Sequence, residues 1–315
     1  MIDIADIRAA AQRIAGKIHR TPLLSSSQLA GPAPVRLHLK CENFQKTGSF
    51  KARGALNKIL SLNAEERGRG LVTVSAGNHA AAVAWASRIA GCSAVVVMPS
   101  DAPKSKMDAV RGYGAEIVAH PDRATLFDKL EELRAARGLT FIHPFDDAVV
   151  LAGAGTVGLE IAEDLPDVEL VIVPVGGGGL LSGVASATKQ MNPQVRVVAV
   201  ELEAGPGLGP SLAAGRPIPV KRPDTIADGM TPPFVGALPL AIAREAVDEI
   251  VTVTEAEIID AMRLLMTRAK LYVEGSGAAA TAALLSNKVR ARRGERTIAL
   301  VSGGNVDLAR VAAVV

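Results

Sequence analysis

The sequence predicts an α/β protein built on open, doubly wound sheets of mostly parallel strands. Two observations carry this. Short runs rich in Val and Ile recur at residues 71–74, 94–98, 116–119, 170–173, 195–200 and 297–301, with helix-length segments between most of them. Strands alternating with helices imply a parallel sheet covered on both faces. In addition, Ser75-Ala76-Gly77-Asn78-His79, Gly176-Gly177-Gly178-Gly179 and Ser302-Gly303-Gly304-Asn305 each stand just past the C-terminal end of such a strand. Open α/β sheets bind their ligands at those ends.

Taken in order, residues 3–15 have helical spacing, with Ile4, Ile7, Ala11 and Ile14 on one side. Thr21-Pro22-Leu23-Leu24 reads as extended, and residues 35–39 alternate as a strand. Lys51 opens a helix-like run over 51–60. Strand 71–74 leads into an apolar helix through Ala90. Strand 94–98 is followed by Pro99 and Pro103, placed to end it and open a helix. Strand 116–119 precedes an amphipathic helix over 122–137 that buries Leu126, Leu130 and Leu133, and Thr140-Phe141-Ile142 closes this first series. A second series follows: strand 170–173, the four glycines, a helix to about Met191, and strand 195–200. Residues 203–235, rich in Gly and Pro, read as a long ordered loop. Strand 249–253 precedes Thr254 and Glu257, a capping box. The helix it opens has Ile258, Met262, Leu265 and Ala269 on one face. Strand 297–301 is last, and no tandem repeat at solenoid periods occurs.

Composition narrows the function classes. At 315 residues the chain holds one large domain or two ordinary ones. Apolar residues at 49% and charged residues at 21% suit a globular protein with a large core. Aromatics at 3% argue against base-stacking platforms, and a net charge of +3 against a nucleic-acid partner. Cys41 and Cys92 are too few for a disulfide framework or a four-cysteine zinc site, so two buried thiols in a reducing cytoplasm are expected. The acidic N-terminus is unlike a secretion signal. The uncharged run 170–188 is interrupted by Pro174 and four glycines, so no membrane span is expected.

The motifs carry the chemistry. Four glycines between an apolar strand and a helix let backbone N–H groups converge at a helix N-terminus, which favours a phosphate cradle over a floppy turn. Lys51 follows a short polar turn in Gln45-Lys46-Thr47-Gly48-Ser49-Phe50-Lys51. A lysine held and desolvated there condenses with carbonyls; a solvated one does not. Ser75 and the first helical N–H groups of its turn suit a carboxylate, or form only a helix cap. His79 reads as a structural residue under the turn. Ser302 suits a ring nitrogen, or is an ordinary turn serine. A competitor is the run Gly153-Ala154-Gly155-Thr156-Val157-Gly158, which matches the dinucleotide fingerprint and points to an NAD-dependent oxidoreductase. No acid stands at the end of the next strand, and the alternative is one helix over 148–164 with small residues at a close contact.

Lysine, phosphate cradle, carboxylate turn and ring-nitrogen hydroxyl together resemble the fold-type II pyridoxal-phosphate enzymes, specifically the threonine/serine dehydratases and serine racemases. The matching residues run from Thr21-Pro22-Leu23 through residues 40–55, the Ser75 turn, the tetraglycine with Leu180, Asp228-Gly229, and the Ser302 turn. The resemblance implies two doubly wound open-sheet domains of the tryptophan synthase β type. Residues 1–64 with 148–315 would form the large domain, and residues 65–147 a small mobile one. It implies pyridoxal 5'-phosphate bound covalently to Lys51, which also serves as the base at the substrate Cα. Phe50 would pack on the ring, Asn78 would bond the ring hydroxyl, Gly176, Gly177, Gly178, Gly179 and Leu180 would hold the phosphate, and Ser302 would face the ring nitrogen. Ser75, Ala76, Gly77 and Asn78 would line the substrate site. Ser75, Gly229 and Glu274 would join Lys51 in catalysis, the latter two near the ring and the leaving-group exit. The partner implied is a small amino acid, the assembly a homodimer, the location the cytoplasm.

The expected reaction is β-elimination from an L-hydroxyamino acid such as L-threonine or L-serine, giving a 2-oxo acid and ammonia. A neutral serine at the ring nitrogen favours elimination over charge storage in the ring. Where the racemases carry a proton-handling serine this chain has Ala76, so a dehydratase is expected over a serine racemase. The racemases' divalent-cation stretch keeps Glu201 but lacks a later aspartate, so no metal is expected. Gly275 stands where proline is frequent and Ala154 where glutamine is. Both leave the side-chain preference open, including 3-hydroxyaspartate and ectoine breakdown products. With the sequence ending at Val315, no C-terminal regulatory domain of the biosynthetic type is expected.

Overall fold

A computed structural model describes residues 1–29 and 35–315 and places ten strands in two sheets. In chain order these are β1 (Leu23–Ser25), β2 (Arg36–Cys41), β3 (Leu71–Val74), β4 (Ala94–Pro99), β5 (Glu116–His120), β6 (Thr140–Phe141), β7 (Leu170–Pro174), β8 (Arg196–Leu202), β9 (Glu249–Val253) and β10 (Arg296–Val301). The middle of the chain makes a four-stranded sheet ordered β5-β4-β3-β6, and its flanks make a six-stranded sheet ordered β1-β2-β10-β7-β8-β9. Every pairing is parallel except β1 with β2.

The near-continuous apolar character of these strands follows from burial on both faces. Side chains alternate along a strand. Leu170 and Ile172 of β7, Val198 and Val200 of β8, and Ala299 and Val301 of β10 enter one core. Val171 and Val173, Val197 and Ala199, and Ile298 and Leu300 enter the core on the opposite face. The four-stranded sheet repeats the pattern, with Leu71, Val96 and Met98 on one face and Val72, Val95 and Val97 on the other.

Two helices join the sheets. The helix Lys51–Ser61 sends Ala52, Ala55, Leu56 and Ile59 into the core shared with Val83 and Trp85 of the four-stranded unit. Its other side lies on the helix Ala148–Asp164, where a Cβ added to Gly54 would stand 2.8 Å from the Val150 carbonyl. The dinucleotide-like run 153–158 lies wholly inside that second helix, whose N-cap Asp147 accepts from the N–H groups of Val149 and Val150. A Cβ on Gly153 would meet the Arg53 carbonyl at 2.7 Å, and one on Gly158 the Val184 carbonyl at 2.7 Å. The glycines therefore let helices approach closely. No strand-to-helix turn exists there for a pyrophosphate, and the oxidoreductase reading falls.

Two other expectations need correction. Residues 203–235 are not all loop: they contain the helix Leu208–Ala214 and a turn of 3-10 helix at Asp228–Met230. Glu201 holds that helix, its carboxylate accepting from the N–H groups of Gly207, Leu208 and Gly209 at 2.6, 2.6 and 2.9 Å. The helix expected over 122–137 starts only at Leu126.

Candidate active site

Strands β2, β10 and β7 are neighbours and run parallel, so the segments that leave their C-terminal ends emerge side by side. These segments are the lysine turn, the Ser302 turn and the tetraglycine. The first two are stitched together. Phe50 N–H donates to the Ser302 carbonyl at 3.1 Å, Gly304 N–H to the Gly48 carbonyl at 2.9 Å, and Ser49 bridges Gly303. Thr47 sits in the left-handed region at φ 59°, uncommon for a β-branched residue and costing roughly 1–3 kcal/mol. The Asn305 amide holds it there by donating to the Thr47 carbonyl at 2.7 Å.

Lys51 leaves this turn at the first residue of its helix. Its amine donates to the Pro144 carbonyl at 2.8 Å and lies 5.1 Å from the Phe50 ring centre. Removal from water disfavours the ammonium, and its pKa falls to about 8. Two residues further on, Arg53 is fully buried and anchors the helix. It donates twice to Glu42, at 2.8 and 2.8 Å, and twice to Glu160, at 2.6 and 2.9 Å. Lys40 completes the group, donating to Glu160 at 2.7 Å and to the Thr21 carbonyl at 2.8 Å. Burial works against the Arg53 charge, but Glu42 and Glu160 raise its pKa; burial likewise works against the Glu160 carboxylate, which its bonds to Arg53 hold below the usual range.

The tetraglycine opens the helix Gly179–Met191. Gly178 is the N-cap at φ 90°, a left-handed conformation suited to glycine. Ser182 N–H donates to the Gly178 carbonyl at 2.9 Å, so the N–H groups of Gly179, Leu180 and Leu181 precede the helical ladder. The cradle is closely walled. A Cβ on Gly176 would stand 2.6 Å from the Gly229 carbonyl, and one on Gly177 2.3 Å from the Phe145 ring.

On the facing side, the helix Asn78–Ala90 begins after the Ser75 turn, where Gly77 N–H donates to Ser75 Oγ at 3.1 Å. Asn78 Nδ2 donates to Glu274 Oε1 at 2.7 Å, and Asn78 Oδ1 accepts from Asn305 at 2.7 Å. Glu274 is buried. Desolvation, then the charge of Asp228, push its carboxyl up to about 7 against the opposing pull of Lys106 and Asn78. His79 lies beneath the turn with Nε2 3.2 Å from the Ile142 carbonyl, and burial and the Lys51 charge drive its pKa down to about 3. It is a structural residue, as its sequence context suggests. Ser302 is buried, its hydroxyl donating weakly to the Ser276 carbonyl at 3.3 Å.

Most of the residues singled out in the sequence thus converge. The side chain of Asn78 is spoken for by Glu274 and Asn305, and Gly229 acts through its backbone, as a wall of the cradle. Sequence reasoning gave no role to Pro144, Phe145, Asn305, Lys106 or the Arg53 cluster. A signal for the cluster was present: Glu160 is the lone charged residue in the apolar run 148–162.

An amine of lowered pKa, a helix N-terminus lined by glycine, and buried hydroxyls without partners at Ser49 and Ser276 suit an anionic aldehyde with further polar groups. That is the chemistry of pyridoxal phosphate, and the arrangement defines a pyridoxal-phosphate site. Residues 14–303 match the family described as pyridoxal-phosphate dependent enzyme (PALP), and the chain belongs to that family. It is 46% identical over 312 residues to L-threonine ammonia-lyase of Thermotoga maritima, covering 98% of this chain and 77% of the relative. Among solved structures, maize serine racemase superposes with a TM-score of 0.94 at 40% identity, covering 99% of this chain and 96% of that one. A bacterial threonine deaminase, from the organism abbreviated T.th., superposes with a TM-score of 0.91 at 44% identity, covering 97% and 99%. The protein is an enzyme, and its cofactor is pyridoxal phosphate.

Proposed function

We propose that this enzyme is an ammonia-lyase that removes the β-hydroxyl of L-threonine or L-serine and releases a 2-oxo acid and ammonia. The observation that carries the reading is a base and an acid tuned toward neutrality in one site, Lys51 at about 8 and Glu274 at about 7. Elimination across Cα–Cβ removes a proton at one carbon and supplies one to the group leaving the other. The 46% identity to a protein named L-threonine ammonia-lyase supports the same reading.

Lys51 holds the cofactor through its amine and, once the substrate has displaced it, takes the Cα proton. The bound cofactor supplies an electron sink for the charge left at Cα. Ser75, Ala76, Gly77 and Asn78 present the start of a helix to the substrate carboxylate, and Gly176, Gly177, Gly178, Gly179 and Leu180 hold the phosphate. Phe50 packs beside the lysine. Ser302 gives the ring nitrogen a neutral partner. Glu274 keeps a proton available beside Asn78, and Gly229 closes the wall between them and the cradle. The unit of residues 65–147 moves against residues 1–64 and 148–315 as substrate enters, and the enzyme acts as a cytoplasmic homodimer. No helix among the described residues is long and apolar enough to cross a membrane.

The likeness to maize serine racemase favours racemisation as a second reading. Ala76 argues against it, because its side chain holds no proton for the face opposite Lys51. A panel of L-threonine, L-serine and the 3-hydroxyaspartate isomers, scored by 2-oxo acid release, tests the first reading. Silence on both L-threonine and L-serine refutes it. D-serine formed from L-serine in D2O as fast as pyruvate would establish the second.

A further inference from the structure

The turn that receives the substrate carboxylate contains no cation: Ser75, Ala76, Gly77 and Asn78 are uncharged. The fold brings one from elsewhere. Lys106, on the helix Lys104–Gly112, places its Nζ 3.8 Å from the point a Cβ on Gly77 would occupy. Glycine there leaves nothing between the ammonium and a ligand on the turn. Lys106 is paired to Asp228 at 2.5 Å, with side-chain exposures of 20% and 45%. Asp228 belongs to the other sheet's half of the molecule and precedes Gly229, whose carbonyl walls the cradle. Lys106, Asp228, Glu274 and Asn305 border one small cavity of about 40 Å³, so the pair stands at the rim of the site.

Ion pairs this exposed contribute little to stability. Their value lies in where the charges stand. We propose that Lys106 is a substrate-binding residue whose ammonium takes the α-carboxylate, and that Asp228 is the partner it releases when substrate arrives. This rests on the lyase reading of the site. A carboxylate exchanges for a carboxylate, so the ammonium is never left unpaired near the cavity, and substrates lacking the carboxylate meet a site still closed by the Lys106–Asp228 pair.

The two ends of the pair then have opposite effects. Lys106→Gln removes the ligand for the carboxylate, whereas Asp228→Asn removes its competitor. A clamp that only ties the two units together would be weakened alike by either change. The experiment titrates holoenzyme with L-alanine, which has the carboxylate but no leaving group, and with L-alaninamide, which lacks the charge, following the visible cofactor band. Lys106→Gln is expected to bind L-alanine about tenfold more weakly, the loss of one charge-assisted hydrogen bond, with little change for L-alaninamide. Asp228→Asn is expected to bind L-alanine at least as tightly as the wild type. Equal weakening by both variants, or a Lys106→Gln loss shared by both ligands, overturns the proposal. If Lys106→Gln fails to retain cofactor, Asp228→Asn decides by itself: weaker binding of L-alanine refutes the exchange. Absence of a cofactor band in the wild type would instead refute the reading of the site as a whole.

Discussion

The Lys51 amine donates to the Pro144 carbonyl at 2.8 Å, and the next residue, Phe145, packs its ring on the glycines of the phosphate cradle. A single short segment between β6 and the helix Ala148–Asp164 therefore touches both the amine and the anion site. This segment also leads from one sheet to the other, so the relative placement of the sheets and the setting of the lysine are coupled.

The first expectation concerns the amine itself. Only the neutral form attacks a carbonyl, and burial lowers the Lys51 pKa from 10.5 to about 8. The rate at which apoenzyme captures pyridoxal phosphate should rise about tenfold per pH unit below that value and level off above it. Stopped-flow absorbance measures this, with Lys51→Ala as the variant that forms no band. A rate still climbing toward pH 10 would mean a solvated lysine.

Glu274 offers a stability test whose sign can be worked out. Its folded pKa, about 7, lies above the usual value of 4.5, so the folded state binds more protons between the two. Stability is then fully present below about pH 4.5 and declines as pH rises through 7. Glu274→Gln removes the ionisation. It should melt with the wild type near pH 4.5 and be more stable above pH 7, by at most about 3 kcal/mol. Thermal melts across that range decide it, and a constant difference at every pH would contradict a raised carboxyl.

Much of the fold is legible because strands buried on both faces are runs of Val, Ile and Leu, and because each ligand-facing turn follows such a run directly. The Ser75, Gly176 and Ser302 turns can be read from position alone. Lys106, Phe145 and Arg53 cannot, since each acquires its role from a partner over a hundred residues away or on another element. The run 153–158 misleads for a physical reason: close helix contact and close phosphate approach both select glycine, and the letters do not distinguish them. Residues 203–235 read as loop because Gly, Pro and Ala hide a short helix whose N-terminus is satisfied from outside, by Glu201.

The Arg53 cluster predicts a large cost for a small change. Arg53 and Lys40 are balanced by Glu42 and Glu160, all of them buried. Glu160→Gln leaves two buried cations facing one carboxylate, and breaking such a group costs about 3–5 kcal/mol. Denaturant unfolding should show a clear drop in midpoint. Because the cluster sets the Lys51 helix, cofactor affinity should fall with it. Replacing Glu160 without loss of midpoint would mean that water reaches the site.

The contact between Gly177 and Phe145 predicts a rescue. A Cβ at Gly177 would lie 2.3 Å from the Phe145 ring, far inside van der Waals contact. Gly177→Ala must therefore push the ring aside or displace the cradle backbone, and with it the N–H groups that face the phosphate. Cofactor should dissociate at least about tenfold more readily, a cost of roughly 1–3 kcal/mol being usual for overpacking. Phe145→Leu alone leaves space beside the glycine and should weaken cofactor binding less. In the double variant the smaller side chain makes room for the added methyl, so affinity should recover toward that of Phe145→Leu. Fluorescence titration of the four apoproteins with pyridoxal phosphate gives the cycle. Additive losses would show that the methyl disturbs the phosphate directly, and recovery would show that the cradle is shaped by the ring behind it.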